Sequence, residues 1–590
     1  MAGDITALLP IRADQVGPGG FVALSEHYAI LSLGESSIHL VENSTPIFQG
    51  NGDEAHRKLL IGGNYTGPAP LTFIVEIVTA GSDIIFTDPD THIIQTPSQA
   101  ATFRYSIDNG NNWVGPIPVK EREFVSLIYG AQITFDKKFG YSPGARWTFT
   151  FNYTNFNSTR YSRWASKPWQ EGHFFTNRDN ALRYTNGRQV YNFHNSVNAL
   201  PAGSYLEEFY QHIIIGKPVI NGAEYPHRVM WSDVHNFLEF NEKPQTEASY
   251  YDFDVTDDLH PESMGVTGIK KLRDLCLVYT NRSISGISYV GLPQVMNKKE
   301  LITEIGCAYP YTLIGYNQEH IFWSEENCWS YNGETPPVPI GDAIKDFLFD
   351  DLNNDPILRY RMWAYFNRPY GELWFVYCSK RSMEDFDMAV VYNIMEKKWY
   401  ISEVEGIQSA IYHSWIKDVN VIDQLNKNID DYDIPIDQLG EEGEFNLINL
   451  YGRNNLEILR DEVPNDGDEV LLDQSLPVLE SNDLVYGDLE FIKECGTMVI
   501  HANYRDWDGY PGISVEVSSR DNLAEAPVFQ SAGIWHKKLP EKRHSFPRIS
   551  GRVLRFRFKF TEYPDVNGWR NMTFITYGEN VRQRNGSIER

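Results

Sequence analysis

An all-β chain with a β-propeller core, an inserted β-sandwich and a C-terminal β region is the fold class that this sequence predicts. Three observations carry that expectation. Aromatic residues are abundant, with 34 Tyr, 32 Phe and 14 Trp among 590 residues, and flat rings suit a pleated, half-buried surface better than a helix. Apolar runs are short, roughly four to seven residues, and polar turns separate them. The runs also fall into groups that read as four-stranded meanders of about 40–50 residues, the size of a propeller blade.

The length predicts about two to four domains. Residues 1–69 read as the first part of the propeller, with FVALSEHYAILSLG as blade strands. Residues 70–151 have a separate character (LTFIVEIVTAG, TFRYSIDNGNNWVGPIPV, RWTFTF) and read as an inserted β-sandwich accessory domain. An insertion into a blade loop is cheap, because loop closure costs grow slowly with length.

Residues 152–440 read as the main blades. Phe209–Ile215 and Arg228–Trp231 are expected strands around a Gly-containing turn, followed by strand groups over Asp274–Gly291 and Tyr311–Gly333. The clearest group is RMWAYFNRPYGELWFVYCSKRSMEDFDMAVVYNIMEKKWYISEV, with hairpin turns at Asn367–Gly371 and Asn393–Lys397 and a longer loop carrying Ser379–Asp387. The one good helical candidate is Pro339–Leu352. Residues 441–590 read as a C-terminal β domain or closing blades. A stack of β-sandwich domains is the competing architecture.

Charge narrows the function classes. The chain carries 52 basic and 79 acidic residues, a net charge of −27, which argues against an electrostatic grip on nucleic acid or an anionic membrane. Part of the surplus lies between Asp418 and Glu480, either a solvated loop face or a surface placed to repel phosphate or meet a basic partner. The opposite bias occurs once, in Lys537, Lys538, Lys542, Arg543, Arg548, Arg552, Arg555, Arg557 and Lys559. Arg555, Arg557 and Lys559 alternate with Phe556, Phe558 and Phe560, so a strand here puts charges on one face and rings on the other. Two readings stay open for Lys537, Lys538, Arg543, Arg552, Arg555, Arg557 and Lys559: an ordinary half-exposed strand, or contacts to a neighbouring subunit or to DNA in a channel.

Cys276, Cys307, Cys328, Cys378 and Cys495 are odd in number and widely spaced, which implies neither a disulfide framework nor a zinc site. No apolar stretch approaches the ~20 residues that span a bilayer. The start, MAGDITALLPIRADQ, lacks the basic and apolar regions of a signal peptide, so folding in a reducing cytosol is expected.

Ser106, Asp108, Gly110 and Trp113 match the Asp-box pattern S-x-D-x-G-x-x-W. Its chemistry is that of a turn: Gly accepts positive φ, the Asp side chain bonds backbone amides, and the Trp packs beneath. Calcium at Asp108 or at Asp88–Asp90 lacks the repeated D-x-D-x-D-G loop that would support it. No nucleophile elbow, P-loop or H-E-x-x-H occurs. His173, His212 and His413 sit among β-like aromatic runs and read as structural histidines. No enzyme activity, cofactor or metal is expected.

Several strand segments, taken in order, resemble the tail hub or nozzle proteins, also called stabilisation proteins, of short-tailed bacteriophages. They are Arg228-Val-Met-Trp231-Ser232, then Val266-Thr-Gly268 leading into Leu275–Tyr279, then Ile305-Gly306-Cys307 with Pro310, then Ile321-Phe-Trp323 through Trp329-Ser-Tyr331-Asn-Gly333. They fall within Tyr205 to Ser402, and RISGRVLRFRF near the end is similar to a strand common in such proteins. The acidic stretch 418–480 and the 70–151 insertion match no part of that pattern.

The resemblance implies a propeller-based virion protein, assembled in the host cytoplasm. Six copies would form a ring below the portal and adaptor, continuing the DNA-ejection channel and holding tail fibres or a tail tip. Contact with genomic DNA would be transient and non-specific, since a negative bore repels phosphates within the ~8 Å screening length. Two alternatives stand beside this reading: a sialidase-like glycoside hydrolase, motivated by the Asp-box, and a glycan- or fibre-binding role for residues 70–151.

Overall fold

The computed structural model describes residues 4–11, 20–33, 36–50, 59–82, 85–87, 94–96, 99–193, 200–234, 236–243, 246–253, 265–404, 406–416, 445–456, 458–460, 478–481, 491–503, 513–521, 526–535, 543–560 and 571–582. Among them α-helix is confined to Lys345–Asp351 and Pro356–Arg359, and strands account for the remaining regular structure apart from short 3-10 turns. The all-β expectation therefore holds.

The β-propeller core does not. The strands form separate sheets of two to four strands and one of fifteen, and none of these sheets closes on itself. The fifteen-stranded sheet is what independent blades exclude. Its hydrogen bonding runs from Val114–Pro118 through Thr102–Ser106, Leu71–Thr79 and Arg146–Tyr153 to Val41–Asn43, and on to Ser249–Asp252. Blades end their hydrogen bonding at short edges, whereas here Arg146–Tyr153 pairs with Val41–Asn43, which pairs in parallel with Val190. Short meanders read correctly as local units do not reveal such long-range pairing.

The chain divides into two units, Met1–Asp461 and Glu462–Arg590. In the first, Leu59–Gly63 pairs with Ala131–Phe135, and this small sheet shares one core with Leu71–Thr79 and Arg146–Tyr153. Phe73 stacks on Phe149 at 5.3 Å, and Phe135 meets Trp147 edge-on at 5.8 Å. That core runs from Leu59 to Phe151.

Three four-stranded antiparallel meanders follow. They are Val266–Leu272, Leu275–Thr280, Ile284–Gly291 and Val295–Ile302; Ile314–Tyr316, Glu319–Trp323, Cys328–Tyr331 and Val338–Pro339; and Trp363–Asn367, Glu372–Tyr377, Met388–Asn393 and Lys398–Glu403. The turns expected at Asn367–Gly371 and Asn393–Lys397 join strands of the last. Gly306 lies so close to the turn after Thr280 that a Cβ would sit 2.2 Å from the Thr280 carbonyl oxygen, so only glycine fits there. The first sheet, Ile5–Pro10 to Ser36–His39, meets Ile407–Ile416, and Ser409 donates to the Ile5 carbonyl at 2.7 Å.

Two local expectations are corrected. Phe209–Ile215 is not one strand: Ala202–Phe209 and His212–Ile220 form a hairpin whose turn is Tyr210 (φ 47°) and Gln211 (φ 63°). The helix is shorter than Pro339–Leu352, because Val338–Pro339 still pairs with Trp329–Ser330 and the helix begins at Lys345.

In the second unit, Val553–Phe560 pairs with Val478–Glu480 and Ile513–Arg520. Phe556 and Phe558 are fully buried, while Arg555, Arg557 and Lys559 are half-buried on the other face, the period of two that a strand imposes. A further sheet joins Arg543–Gly551, Phe491–Asn503 and Asn571–Arg582.

Candidate functional site

The Asp-box residues occupy the turn between Thr102–Ser106 and Val114–Pro118. Ser106 Oγ donates to Asp108 Oδ1 at 2.7 Å and accepts from the Gly110 amide at 2.9 Å, and the Asn112 amide donates to Asp108 Oδ1 at 2.9 Å. The Asn112 backbone bond, followed by the Ser106 and Asn112 side chains, holds the Asp108 carboxyl down at about 2. Gly110 takes φ +87°. The carboxylate is thus engaged by its own turn rather than aimed at a substrate.

Trp113 does not pack beneath this turn alone; it covers Arg104, whose Cζ lies 4.3 Å from the ring centroid, and Arg146 at 5.7 Å. Both arginines bind the buried Glu76, Arg104 Nε at 3.0 Å. The pattern could not reveal this group, since Glu76 comes from a strand 28 residues before Arg104 and 70 before Arg146.

The basic segment finds partners inside its own unit. Arg557 pairs with Glu516 at 3.5 Å and lies over the Phe529 ring at 3.6 Å. Lys559 binds Glu516 at 2.9 Å, and Arg555 Nε donates to the Ser481 carbonyl at 3.1 Å. Arg552 is half-buried, and its amide donates to the Arg520 carbonyl at 3.0 Å. Lys537, Lys538, Lys542, Asp88–Asp90 and most of the acidic stretch 418–480 lie outside the described residues, as do the side chains of Arg543 and Arg548.

Each singled-out histidine donates a ring N–H to a backbone carbonyl. The pairs are His173 Nε2 to Pro10 at 2.7 Å, His212 Nδ1 to Ser232 at 2.6 Å and His413 Nε2 to Gly20 at 3.0 Å. Burial lowers the pKa of His173 and His413. Cys276, Cys307, Cys328 and Cys378 are buried free thiols. Burial pushes Cys307 and Cys378 up to about 12 and also raises Cys276 and Cys328, the opposite of what a nucleophile needs. Among the described residues no group of three or more His, Cys, Asp or Glu is placed to hold a metal ion, and no helix is long and apolar enough to cross a membrane.

An ion-pair hub that sequence reading missed centres on Arg160. It binds Asp385 at 2.7 Å, Asp4 at 3.2 Å and also Glu384. Arg361, only 3 % exposed, donates at 3.2 Å to the carbonyls of Glu384 and Arg160 and to Gln408 Oε1. These contacts join five stretches of sequence, and their partners lie as far as 225 residues apart.

The segments that carry the bacteriophage resemblance lie in core strands, except Ile305-Gly306-Cys307 with Pro310, which lies in the connection between Val295–Ile302 and Ile314–Tyr316. Val229, Trp231, Ser232, Val266, Thr267, Cys276, Cys307, Phe322, Trp323 and Tyr331 are all buried. Trp231 Nε1 donates to the Glu247 carbonyl at 2.8 Å, and Ser232 Oγ accepts from the Ile213 amide at 2.9 Å.

No protein-family model and no curated protein matches the chain. Solved structures with partial likeness include the computationally designed Ika8 protein, at 7% identity and TM-score 0.27, covering 65% of this chain and 98% of that one. Kluyveromyces lactis Hsv2p is 11% identical with a TM-score of 0.21 over 56% of this chain and 98% of its own. The extracellular domain of a protein described as a hybrid two component system from B. thetaiotaomicron is 8% identical with a TM-score of 0.31, over 95% of this chain and 76% of that one. At such TM-scores these likenesses assign the chain neither a fold family nor an activity.

Proposed function

We propose that the chain is a structural subunit of the tail of a short-tailed bacteriophage, acting through its surfaces as identical copies in a ring. In this reading six copies sit below the portal and adaptor, extend the DNA-ejection channel and anchor tail fibres or a tail tip. The observation that carries it is the ordered run of family-like segments between Arg228 and Gly333, most of them in strands of the first unit, with Ile305–Cys307 and Pro310 in the connection before Ile314–Tyr316. The burial of the thiols and the backbone pairing of the histidines support a scaffold, because both spend potentially reactive groups on structure.

A closed ring needs two different patches that meet at every junction. The best apolar candidate lies on the hairpin around Tyr289. Val290 is 53% and Leu292 71% exposed, and Tyr289 stacks on Tyr210 at 5.0 Å. Clustered exposed apolar groups mark interaction surfaces, and the occupant in this reading is a second copy of the chain. Val290→Asp with Leu292→Asp is expected to shift the protein from assembled to monomeric in sedimentation velocity while leaving its circular dichroism unchanged. An assembly as stable as that of the unsubstituted protein would remove this surface from the junction.

A further inference from the structure

Three residues beyond the Arg160 hub, Arg163 is treated in the opposite way. Its guanidinium carbon lies 4.9 Å from the Trp363 ring centroid and 5.4 Å from that of Tyr311. Those two rings are held by the backbone, since Tyr311 and Trp363 form a β-bridge and the Ala364 amide donates to the Tyr311 carbonyl at 3.0 Å. Arg163 is enclosed deeply enough that burial pushes its guanidinium down to about 10. Yet no carboxylate pairs with it among the described residues, and the charged groups that act on it are Tyr311 and a second cation, Arg361.

Other donors around it are also unspent. Arg163 Nη1 and Trp363 Nε1 are both buried without a hydrogen-bond partner. The Tyr205 ring is 6.4 Å from that of Tyr311, and no hydrogen bond engages either hydroxyl among the described residues. Arg163, Arg361 and Arg178 all act on the Tyr311 hydroxyl. Arg163, Tyr205 and Tyr311 are half-buried, so the group can be reached from solvent.

A largely desolvated cation without a counter-charge is unfavourable, and among the described residues no carboxylate pairs with this one. Guanidinium and indole N–H groups only donate, and tyrosine hydroxyls can donate, so this set can satisfy an oxyanion, which offers only acceptors. We propose that the recess bounded by Arg163, Trp363, Tyr311 and Tyr205 binds a small tetrahedral oxyanion, a phosphate group, that supplies the missing counter-charge. This site is independent of the assembly reading, since every residue in it belongs to one copy.

The test uses the full chain, titrated calorimetrically with sodium orthophosphate and, separately, with glycerol phosphate, in chloride buffer of constant ionic strength. Saturable binding and a raised unfolding midpoint are expected. Tighter binding of orthophosphate marks a free ion, and tighter binding of the ester marks the phosphate of a larger ligand. Arg163→Gln is expected to weaken binding by about tenfold or more, the scale of one charge-assisted contact. Tyr311→Phe, which keeps the ring beneath the guanidinium, is expected to weaken it by a smaller factor, and it serves as the test if Arg163→Gln does not fold. The proposal is overturned if the unsubstituted protein binds neither anion saturably. It is equally overturned if the folded variants bind as the unsubstituted protein does.

Discussion

Replacing Trp323 by alanine is expected to cost about 3–5 kcal/mol, the usual range for a buried Trp or Phe truncated to Ala. Trp323 is fully buried and touches three rings: Phe349 at 5.7 Å, Phe375 at 6.0 Å and Trp399 at 5.7 Å, each in an edge-on arrangement. Those rings come from the helix Lys345–Asp351 and from the meander that ends at Glu403, so one side chain ties together three elements of a single core. Such aromatic pairs contribute roughly 0.5–1.5 kcal/mol beyond burial of area. Trp323→Phe should cost far less, because it keeps a ring and also removes an indole N–H that is buried without a partner. Thermal unfolding followed by tryptophan fluorescence, with limited proteolysis, distinguishes the two. An unchanged midpoint for Trp323→Ala would show that the core does not rest on this contact.

Acidification is expected to destabilise the first unit between about pH 6.5 and pH 3. His320 is buried, its Nδ1 accepts from the Tyr279 hydroxyl at 2.8 Å, and its Nε2–H donates to the Lys271 carbonyl at 3.2 Å. Burial, followed by the positive charge of Lys270 and Lys167, pushes its pKa down to about 3. In the unfolded chain the imidazole returns to its ordinary value near 6.5. Below that pH the unfolded state therefore takes up a proton that the native state refuses. Stability is complete above about pH 6.5 and falls as pH drops towards 3, by up to roughly 1.4 kcal/mol per pH unit for one group. His173 and His413, also lowered, act in the same direction. His320→Gln should flatten the pH dependence of urea unfolding by one proton's share. A slope identical to that of the unsubstituted protein would contradict the assignment.

The sequence was legible where structure is local. The meander from Trp363 to Glu403 could be read because its turns carry Asn367, Gly371 and Asn393, residues whose turn preference has a direct steric or hydrogen-bonding cause. The Tyr210–Gln211 turn was not legible, because it asks two ordinary side chains to take positive φ and so lacks the Gly or Asn that announces such a hairpin. The alternation of Arg555, Arg557 and Lys559 with phenylalanines gave the correct faces of a strand, but not Glu516 on the strand beside it.

Long-range pairing accounts for the larger miss. A propeller was expected because each meander looked like a blade, yet the bridge between Glu42 and Val190 joins segments that no local pattern connects. The same holds for the charge clusters. Arg160 and Arg163 stand three residues apart in FNSTRYSRW, and nothing in that string tells that one meets three carboxylates while the other lies against two aromatic rings.

The reading of the chain as a ring-forming tail subunit is tested most directly by native mass spectrometry of the full, unsubstituted protein across micromolar concentrations. The expected spectrum is dominated by one closed species of six copies, with no ladder of larger polymers. A monomer that persists at every concentration would contradict the account.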